Sequence, residues 1–379
     1  MLVKLGNYVE LRQGLAINAQ SKHLISTKKS CKYPYPLLKI VDMMNNDFST
    51  FVSSDVNKNV IAQRNDIIYT RTGQIGLAFR GFNGVVHNNS FIISLLNDKL
   101  DKDFLFTILN SNFVKKQALT MAKNSVQPDL THSMFKSIQI PLYDINTQKK
   151  IAKILISIES QLERNNVIVK RLQVLAQATF NRFFSSENNL ISLVDFPYIK
   201  VIKPGIIKFD GKKHYIATAE ITGEEFNYNA PLIEYESREN RANMQPTSNS
   251  VWFAKMKNSI KHIYVTCYDK LIKQNYIFST GFCGITCEEF AFEYMINYLN
   301  LSYFEKKKDI TSHGATMEGI NNEDLKSFKI HLPTKDKLVL FHNKSKEIYY
   351  EISRIRQVTF QLNCLKKKLL PLLINSQLQ

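Results

Sequence analysis

The sequence predicts an α+β protein in which two mixed α/β globular domains are each followed by one long helix. Three observations support this prediction. The segment HSMFKSIQIPL (residues 132–142) returns as NEDLKSFKIHL (residues 322–332). A long segment with helical spacing of apolar residues follows each copy, and short β-rich runs precede it. At 379 residues the chain suits two or three domains with separate cores.

A single shift of 190 residues relates the two copies over some fifty residues. It aligns Phe135 with Leu325, Ile140 with Ile330, Ile158 with Ile348 and Leu172 with Leu362. It also aligns Ser125-Val126-Gln127 with Ala315-Thr316-Met317. One register held this far indicates a pseudo-two-fold internal repeat. We therefore place two globular domains at residues 1–145 and 186–333.

The long helices are predicted at residues 146–185 and 334–379. Apolar positions recur there in alternating steps of four and three, the spacing of a coiled-coil seam. In the first helix they are Ile151, Leu155, Ile158, Leu162, Val169, Leu172, Leu175 or Ala176, and Thr179 or Phe180, with a break at Asn165. In the second they are Phe341, Ser345, Ile348, Ile352, Ile355, Thr359, Leu362, Leu365 and Leu369. Matched length and register suggest that the helices pair with each other.

Within the globular domains, strands are expected at PLLKIV, DIIYT and SFIISLL in the first half and at HYIATAEI, HIYVTCY and YIFSTGFCGI in the second. TGQIG and GFNG resemble turns in which glycine supplies a positive φ. Helices are expected at 104–119 and 288–300.

A net charge of +17 indicates a polyanionic partner, and nucleic acid is favoured over a merely solvated surface. The excess is +7 in residues 1–145, +5 in 146–185, −1 in 186–333 and +6 in 334–379. A basic disordered tail would concentrate its charge, so this distribution points to a folded surface. In the nearly neutral second domain, either the cations lie on one face or the helices and partners supply the phosphate contacts.

Catalytic motifs are missing from the sequence. It has no glycine-rich phosphate loop, no nucleophile elbow and no Asn-Pro-Pro-Tyr of an adenine methyltransferase. Glu305-Lys306-Lys307 fits part of a nuclease core without its upstream Pro-Asp. Cys283 and Cys287 are separated by three residues, which is not the usual zinc knuckle. No apolar run is long enough for a membrane span or a signal peptide, so we expect a cytoplasmic protein that does not bind a membrane.

This arrangement resembles the DNA specificity subunit of type I restriction-modification enzymes. The resemblance rests on Asp66-Ile-Ile-Tyr-Thr-Arg71-Thr-Gly73-Gln-Ile-Gly76, on residues 125–142, and on Gln148 and Ile151 at the start of the helix. In the second half it rests on STGFCG from Ser279 and on residues 312–333. It covers essentially the whole chain in the family's order. The second long helix departs from the family's pattern, since it lacks a start led by glutamine.

The resemblance implies two target-recognition domains, each binding one half of a split site in double-stranded DNA, with the long helices packed antiparallel as a spacer. It implies a subunit without catalysis or cofactor of its own. Two methyltransferase subunits would bring S-adenosylmethionine, and motor-nuclease subunits would bring ATP and Mg²⁺. The alternatives are the specificity module of a fused, type IIB-like system and a nonspecific coiled-coil DNA-binding scaffold.

Base contacts would come from loop side chains that donate and accept hydrogen bonds. In the first domain we select Arg71, Gln74, Arg80, Asn88, Asn89 and Ser90, and in the second Lys255, Lys257, Asn258, Lys261, Ser312 and His313. We expect phosphate contacts from Lys306, Lys307 and Lys308. For each residue the alternative is a solvated surface position without a ligand.

Overall fold

The structure, a computed structural model, describes residues 2–19, 21–123, 128–187, 189–223, 225–226, 230–314 and 318–375, with the backbone alone for 225–226 and 370–375. Two compact units divide the chain. Unit 1 lies within Met1–Gln161 and Asn363–Gln379, and unit 2 is Leu162–Leu362. The predicted pairing of 125–127 with 315–317 lies outside the described residues.

The globular part of unit 1 contains eleven strands and four short helices among its described residues. The strands are β1 (Leu2–Lys4), β2 (Val9–Gln13), β3 (Ile25–Ser26), β4 (Tyr35–Leu38), β5 (Phe51–Val52), β6 (Ile61–Ala62), β7 (Ile67–Thr70), β8 (Ala78–Phe79), β9 (Gly84–Val86), β10 (Ser90–Leu95) and β11 (Gln139–Pro141). The helices are α1 (Ile40–Asn45), α2 (Lys102–Leu109), α3 (Asn112–Ala122) and α4 (His132–Ser137). Next comes the long helix α5 (Ile145–Phe184).

The described part of unit 2 repeats this order. Its strands are β12 (Leu190–Ser192), β13 (Ile199–Val201), β14 (Lys212–Ile216), β15 (Ile221–Thr222), β16 (Glu225–Phe226), β17 (Leu232–Glu234), β18 (Ala242–Met244), β19 (Ser250–Ala254), β20 (His262–Val265), β21 (Tyr276–Ser279), β22 (Phe282–Cys287) and β23 (Lys329–His331). Its helices are α6 (Lys270–Asn275), α7 (Phe292–Leu299) and α8 (Ser302–Thr311), followed by the long helix α9 (Lys335–Asn375).

Sheet topology confirms the internal repeat. In unit 1 the strands are ordered β1-β11, β2-β10-β7-β8 and β3-β5-β4-β9-β6. In unit 2 they are ordered β12-β23, β13-β22-β19-β20 and β17-β14-β21-β18, beside the pair β15-β16. In each unit the third sheet contains a parallel pair, β4 with β9 and β14 with β21. The mixed α/β architecture predicted from the sequence is therefore present twice.

The repeated segments, residues 132–142 and 322–332, contain the last strand of each half, β11 and β23. β11 pairs antiparallel with β1, and β23 pairs antiparallel with β12. Ile140 and Ile330 are both buried at the centres of these strands. In each half, the last strand therefore pairs with the first strand, and the long helix begins just after it.

The long helices pack antiparallel along their described contacts. In unit 1, Lys366 Nζ lies 2.9 Å from Glu159 Oε1. In unit 2, Asn165 Nδ2 donates to Thr359 Oγ1 at 3.0 Å, and the ring of Phe184 lies against that of Phe341. Partners of α5 thus come from progressively earlier residues of α9. At the break in the apolar pattern, buried Asn165 is thus hydrogen-bonded to half-buried Thr359, and a polar residue at such a position can fix the register of a coiled coil.

Three elements differ from the sequence prediction. The helix expected at 104–119 is two helices, because the Oγ of Ser111 accepts the N–H of Val114 and starts a second one. The strand expected at PLLKIV ends at Leu38, and α1 begins at Ile40. The compact units also differ from the predicted domains, since each contains part of both long helices.

Gln148, which belongs to the resemblance at the start of the first long helix, is fully buried. Its Oε1 accepts the N–H of Asp101 at 2.8 Å, and its Nε2 donates to the carbonyls of Lys99 and Tyr143. The side chain therefore fastens the helix start to its own globular domain. None of the described helices combines the length and apolar character needed to cross a bilayer.

Candidate nucleic-acid interface

Each unit carries one hairpin turn that contains some of the selected residues. In unit 1, β7 and β8 pair Tyr69 with Ala78, which leaves residues 70–77 as the first turn. In unit 2, β19 and β20 pair Phe253 with His262, which leaves residues 254–261 as the second turn. The two turns have the same length and occupy the same place in the sheet order.

Identical backbone hydrogen bonds frame the two turns. The N–H of Arg71 donates to the carbonyl of Asn89 at 2.8 Å, and its carbonyl accepts the N–H of Leu130 at 3.0 Å. The N–H of Lys255 donates to the carbonyl of Gly281 at 3.0 Å, and its carbonyl accepts the N–H of Ile320 at 3.0 Å. Leu130 and Ile320 differ by the 190 residues of the sequence repeat. Arg71 and Lys255 are therefore equivalent positions, although the sequence alone did not align them.

Arg71 lies in a polar cluster on unit 1. Its Nη2 forms an ion pair with Asp129 Oδ2 at 2.5 Å, and its guanidinium carbon lies 5.4 Å from the centre of the Phe91 ring. His132 stacks edge-on against the same ring. Burial, together with the positive charge of Arg71, lowers the pKa of His132. A bidentate contact from Arg71 to a base would therefore have to share Nη2 with Asp129.

The cluster continues through residues that the sequence analysis did not select. His132 Nε2 lies 3.1 Å from Gln13 Oε1, and Gln13 Nε2 donates to the carbonyl of Asn88 at 2.7 Å. Asp129 and Gln13 were missed because their partners are distant in sequence. The one available signal for Asp129 was its place in the PDL segment of the resemblance.

The remaining residues selected in unit 1 differ in exposure. Gln74 is exposed in the middle of the first turn, and Asn88 and Asn89 are half-buried just before β10. Arg80 forms an ion pair with Asp103 and lies over the ring of Phe106. Ser90 is buried in β10, so its selection as a DNA contact was wrong. Both faces of β10 are covered at this end, since the four residues from Ser90 to Ile93 are all buried.

In unit 2 the second turn is held at several points. Lys257 forms an ion pair with Glu318, and the N–H of Asn258 donates to Asp309 Oδ1 at 2.9 Å. Lys261 Nζ donates to the carbonyl of Thr218 at 2.7 Å. Lys255 is half-buried. The turn therefore presents its cations from a fixed backbone.

The selected residues on and beside α8 divide into exposed and buried groups. Lys306 is exposed and Lys307 half-buried. Ser312 donates its hydroxyl to the carbonyl of Lys308 at 2.8 Å, and exposed His313 lies 3.6 Å from Asp324. Lys308 is completely buried, so its selection as a phosphate contact was wrong. The run of three lysines occupies three different faces of the helix, and one of these faces the interior.

Lys308 belongs to a buried charged cluster, defined as His262, Glu305 and Lys308. Lys308 Nζ lies 2.6 Å from Glu305 Oε2 and donates to the carbonyl of Ser259 at 2.8 Å. His262 Nε2 lies 2.8 Å from Glu305 Oε1. Burial opposes the ionisation of Glu305, but the hydrogen bonds from His262 and Lys308 outweigh it and lower the pKa of Glu305. Glu305 and Lys308 are three residues apart on one helix face, which was the available sequence signal.

The next features are possible metal ligands and the two cysteines of β22. Over the described ranges, no group of three His, Cys, Asp or Glu side chains is arranged to hold a metal ion. Cys283 and Cys287 are both buried in β22. Burial raises the pKa of the Cys283 thiol to about 12, so this sulfur stays protonated at neutral pH.

The sequence was compared with models of known protein families. Residues 3–173 match the model of the type I restriction modification DNA specificity domain. This part of the chain is therefore similar to type I restriction-modification DNA specificity domains. The resemblance inferred from the sequence is thereby confirmed, and the matched residues include Arg71, Asp129 and the start of α5.

Two specificity subunits illustrate the extent of the similarity. The specificity subunit of the type I restriction enzyme MjaVIII from Methanocaldococcus jannaschii is 27% identical over 180 residues, which are 47% of this chain and 39% of that subunit. The chain thus matches well under two thirds of that relative's length. The crystal structure of a type I S subunit from M. genitalium is 13% identical, covers 100% of this chain and 96% of its own, and superposes with a TM-score of 0.63. This structural likeness supports the duplicated fold.

Proposed function

We propose that this specificity-domain protein is the DNA sequence-recognition subunit of a type I restriction-modification complex. In this proposal unit 1 reads one half of a bipartite site in double-stranded DNA and unit 2 reads the other. The observation that carries the proposal is the pair of equivalent turns, each with a cation, Arg71 or Lys255, at the same hydrogen-bonded position. One turn in each of two repeated units suits two separate contacts with DNA.

The net charge of +17 supports nucleic acid as the partner, since phosphate contacts account for much of the affinity of such proteins. Phosphate contacts orient a protein on the duplex, and base contacts in the grooves specify sequence. We assign base reading to exposed side chains of the turns, with Gln74 in unit 1 and Asn258 in unit 2 at corresponding places. Phosphate contacts then come from Lys306 and Lys307.

The long helices serve in this proposal as the spacer between the two reading units. Catalysis resides in partners: two methyltransferase subunits that bind S-adenosylmethionine, and motor-nuclease subunits that use ATP and Mg²⁺. The chain itself is proposed to be non-catalytic. Purified chain that methylated DNA with S-adenosylmethionine, after removal of every partner, would contradict this assignment.

An exchange of domains tests the division between units. The chain is produced with its modification subunits, and methylated motifs are mapped across the host genome. Replacing residues 1–145 by the corresponding block of a relative should change one half of the methylated motif and leave the other intact. A change of both halves together would refute the proposed division.

Changing the spacer provides the matched control. Insertion of four residues, about one helical turn, into both α5 and α9 in register should lengthen the unread gap and preserve both half-sites. The two experiments separate base identity from half-site spacing. A nonspecific DNA-binding scaffold would yield no defined motif in either experiment, and its binding would depend on salt but not on sequence.

A further inference from the structure

Three large apolar side chains are exposed around the second turn of unit 2. Met256 and Ile260 belong to the turn, and Ile310 belongs to the last helical turn of α8. Ile260 is 62% exposed and Ile310 is 81% exposed. We call these three residues the apolar tip. A soluble protein seldom leaves several large aliphatic side chains together in water without a binding role.

The turn that contains Met256 and Ile260 is in direct contact with the end of α8, which contains Ile310. Asn258, next to Ser259 in the turn, donates its N–H to Asp309, the neighbour of Ile310. Lys308 donates to the carbonyl of Ser259, the neighbour of Ile260. These two hydrogen bonds join consecutive residues of the turn to consecutive residues of the helix.

Lysines border the apolar tip. Lys306 and Lys307 lie on α8 one helical turn before Ile310, and Lys257, which forms an ion pair with Glu318, lies within the turn. Lys306 is exposed. An apolar surface bordered by lysines matches a DNA groove, which presents phosphates at its edges and base edges along its floor.

The buried charged cluster holds this surface in place. A buried cluster of ions gives little net stability compared with an apolar core, so its presence under the turn calls for another role. Lys308 holds the carbonyl of Ser259, Glu305 pairs with Lys308, and His262 in turn is hydrogen-bonded to Glu305. A turn held in this way loses little conformational entropy when it binds.

We propose that the apolar tip reads thymine, by packing Ile260 with Met256 and Ile310 against the 5-methyl group in the major groove. Thymine alone among the four bases presents a methyl group there. The proposal rests on the proposed function and adds a specificity-determining surface to it. It also accounts for base reading by a domain whose net charge is −1, since apolar contact with a base edge needs no cation.

Uracil in place of thymine removes only the methyl group and so tests the proposal directly. The full chain is assembled with its modification subunits, and the methylated motif is mapped in the host genome. Synthetic duplexes then carry uracil at single thymine positions of the half-site assigned to unit 2 by the domain exchange. At one position or more, uracil should weaken binding about fourfold, the factor that corresponds to burying one methyl group.

The variant Ile260→Ala should bind the thymine and uracil duplexes equally well, because the side chain that senses the methyl group is shortened. Ile207→Ala is the matched control: Ile207 is 75% exposed in unit 2 and is not part of the apolar tip. This control should retain the fourfold difference. Fluorescence of the single tryptophan, Trp252 in β19, checks that both variants are folded.

Each other outcome overturns the proposal in a distinguishable way. A half-site without any A·T pair, or a preferred motif that tolerates uracil at every position, would leave the proposed function standing and refute the apolar tip as a thymine reader. If Ile260→Ala keeps the uracil effect but no longer assembles with the modification subunits, the surface is a protein-docking site instead. Absence of any motif preference in the wild-type complex would refute the proposed function itself.

Discussion

The first turn of unit 1 and the second turn of unit 2 have the same length and backbone frame, but their tips are held differently. In the first turn Ile75 is buried, and Gly76 follows it with a φ of +93°. At the two corresponding places, the second turn has Ser259 and Ile260. Ser259 is held through its carbonyl by Lys308, and Ile260 is exposed.

The helices α3 and α8, which pack near the first and the second turn, also differ at equivalent positions. The 190-residue shift aligns buried Ala118 of α3 with buried Lys308 of α8, and Lys115 with Glu305. In unit 1, Ala118 belongs to the same apolar core as Ile75 of the turn, whereas in unit 2 Lys308 belongs to the charged cluster and binds the turn through the carbonyl of Ser259. The exposed side chains of the two turns also differ: unit 1 presents the amide of Gln74, and unit 2 presents aliphatic side chains. Equivalent scaffolds thereby present different surfaces to a ligand.

The largest effect should follow removal of the buried ammonium in unit 2. Lys308→Ala leaves Glu305 buried with one partner fewer, and we expect it to destabilise unit 2 by about 3 kcal/mol. Denaturant unfolding followed by the fluorescence of Trp252 measures this, since that residue lies in β19 beside the turn. Lys306→Ala, on the exposed face of the same helix, should change stability by less than about 0.5 kcal/mol. Equal effects of the two variants would show that the cluster does not hold the turn.

A smaller effect is expected from a side chain at the glycine of the first turn. Gly76→Ala combines left-handed backbone strain with a Cβ that would lie 2.9 Å from Lys115 Cγ. We expect a cost of about 2 kcal/mol to unit 1, read as faster hydrogen exchange in β7 and β8. Gly73→Ala has φ of +71° but open space around its Cβ, so it should cost only about 1 kcal/mol. A cost for Gly73→Ala as large as that for Gly76→Ala would remove the close contact with Lys115 from the explanation.

The ion pair of Arg71 distinguishes the units further, because the position equivalent to Asp129 in unit 2 is Gly319. Asp129→Asn should cost unit 1 about 1 kcal/mol, since the pair is only partly shielded from water. The same change should leave the fluorescence transition of Trp252 in place. Hydrogen exchange at β7 and around Leu130 would report the loss, and unchanged exchange there would mean that the pair contributes nothing to the fold.

The smallest effect concerns pH. The folded state lowers the pKa of Glu305 below its ordinary value of 4.5, so its contribution to stability is complete above that pH and is lost as pH falls through the folded pKa. Unit 2 should therefore lose stability in this acid range, and Glu305→Gln should flatten the dependence of the Trp252 transition on pH. Persistence of the full acid dependence in Glu305→Gln would assign it to other carboxyl groups.

Much of the architecture followed from patterns that are local or periodic. The shift of 190 residues predicted two repeated halves, and apolar steps of four and three predicted two long helices. Positions decided by distant partners could not be inferred in this way. Ser90 and Lys308 were selected because serine and lysine can bind DNA. However, Ser90 lies in a strand that is covered on both faces, and Lys308 lies on the inward face of its helix. Gln148 was noted only as part of the family resemblance, and its role in holding the helix start depends on residues 99, 101 and 143.

The sequence by itself determined the duplication, the helical spacing and the excess of positive charge, because repeats, periodicity and composition are properties of the chain before it folds. Tertiary structure decided that Arg71 and Lys255 are equivalent, since that equivalence depends on hydrogen bonds to Asn89, Leu130, Gly281 and Ile320. It also decided which side of each turn faces water. In unit 1, Ile75 is buried in the same apolar core as Ala118, whereas in unit 2 the ammonium of Lys308 holds the carbonyl of Ser259 and the next residue, Ile260, is exposed.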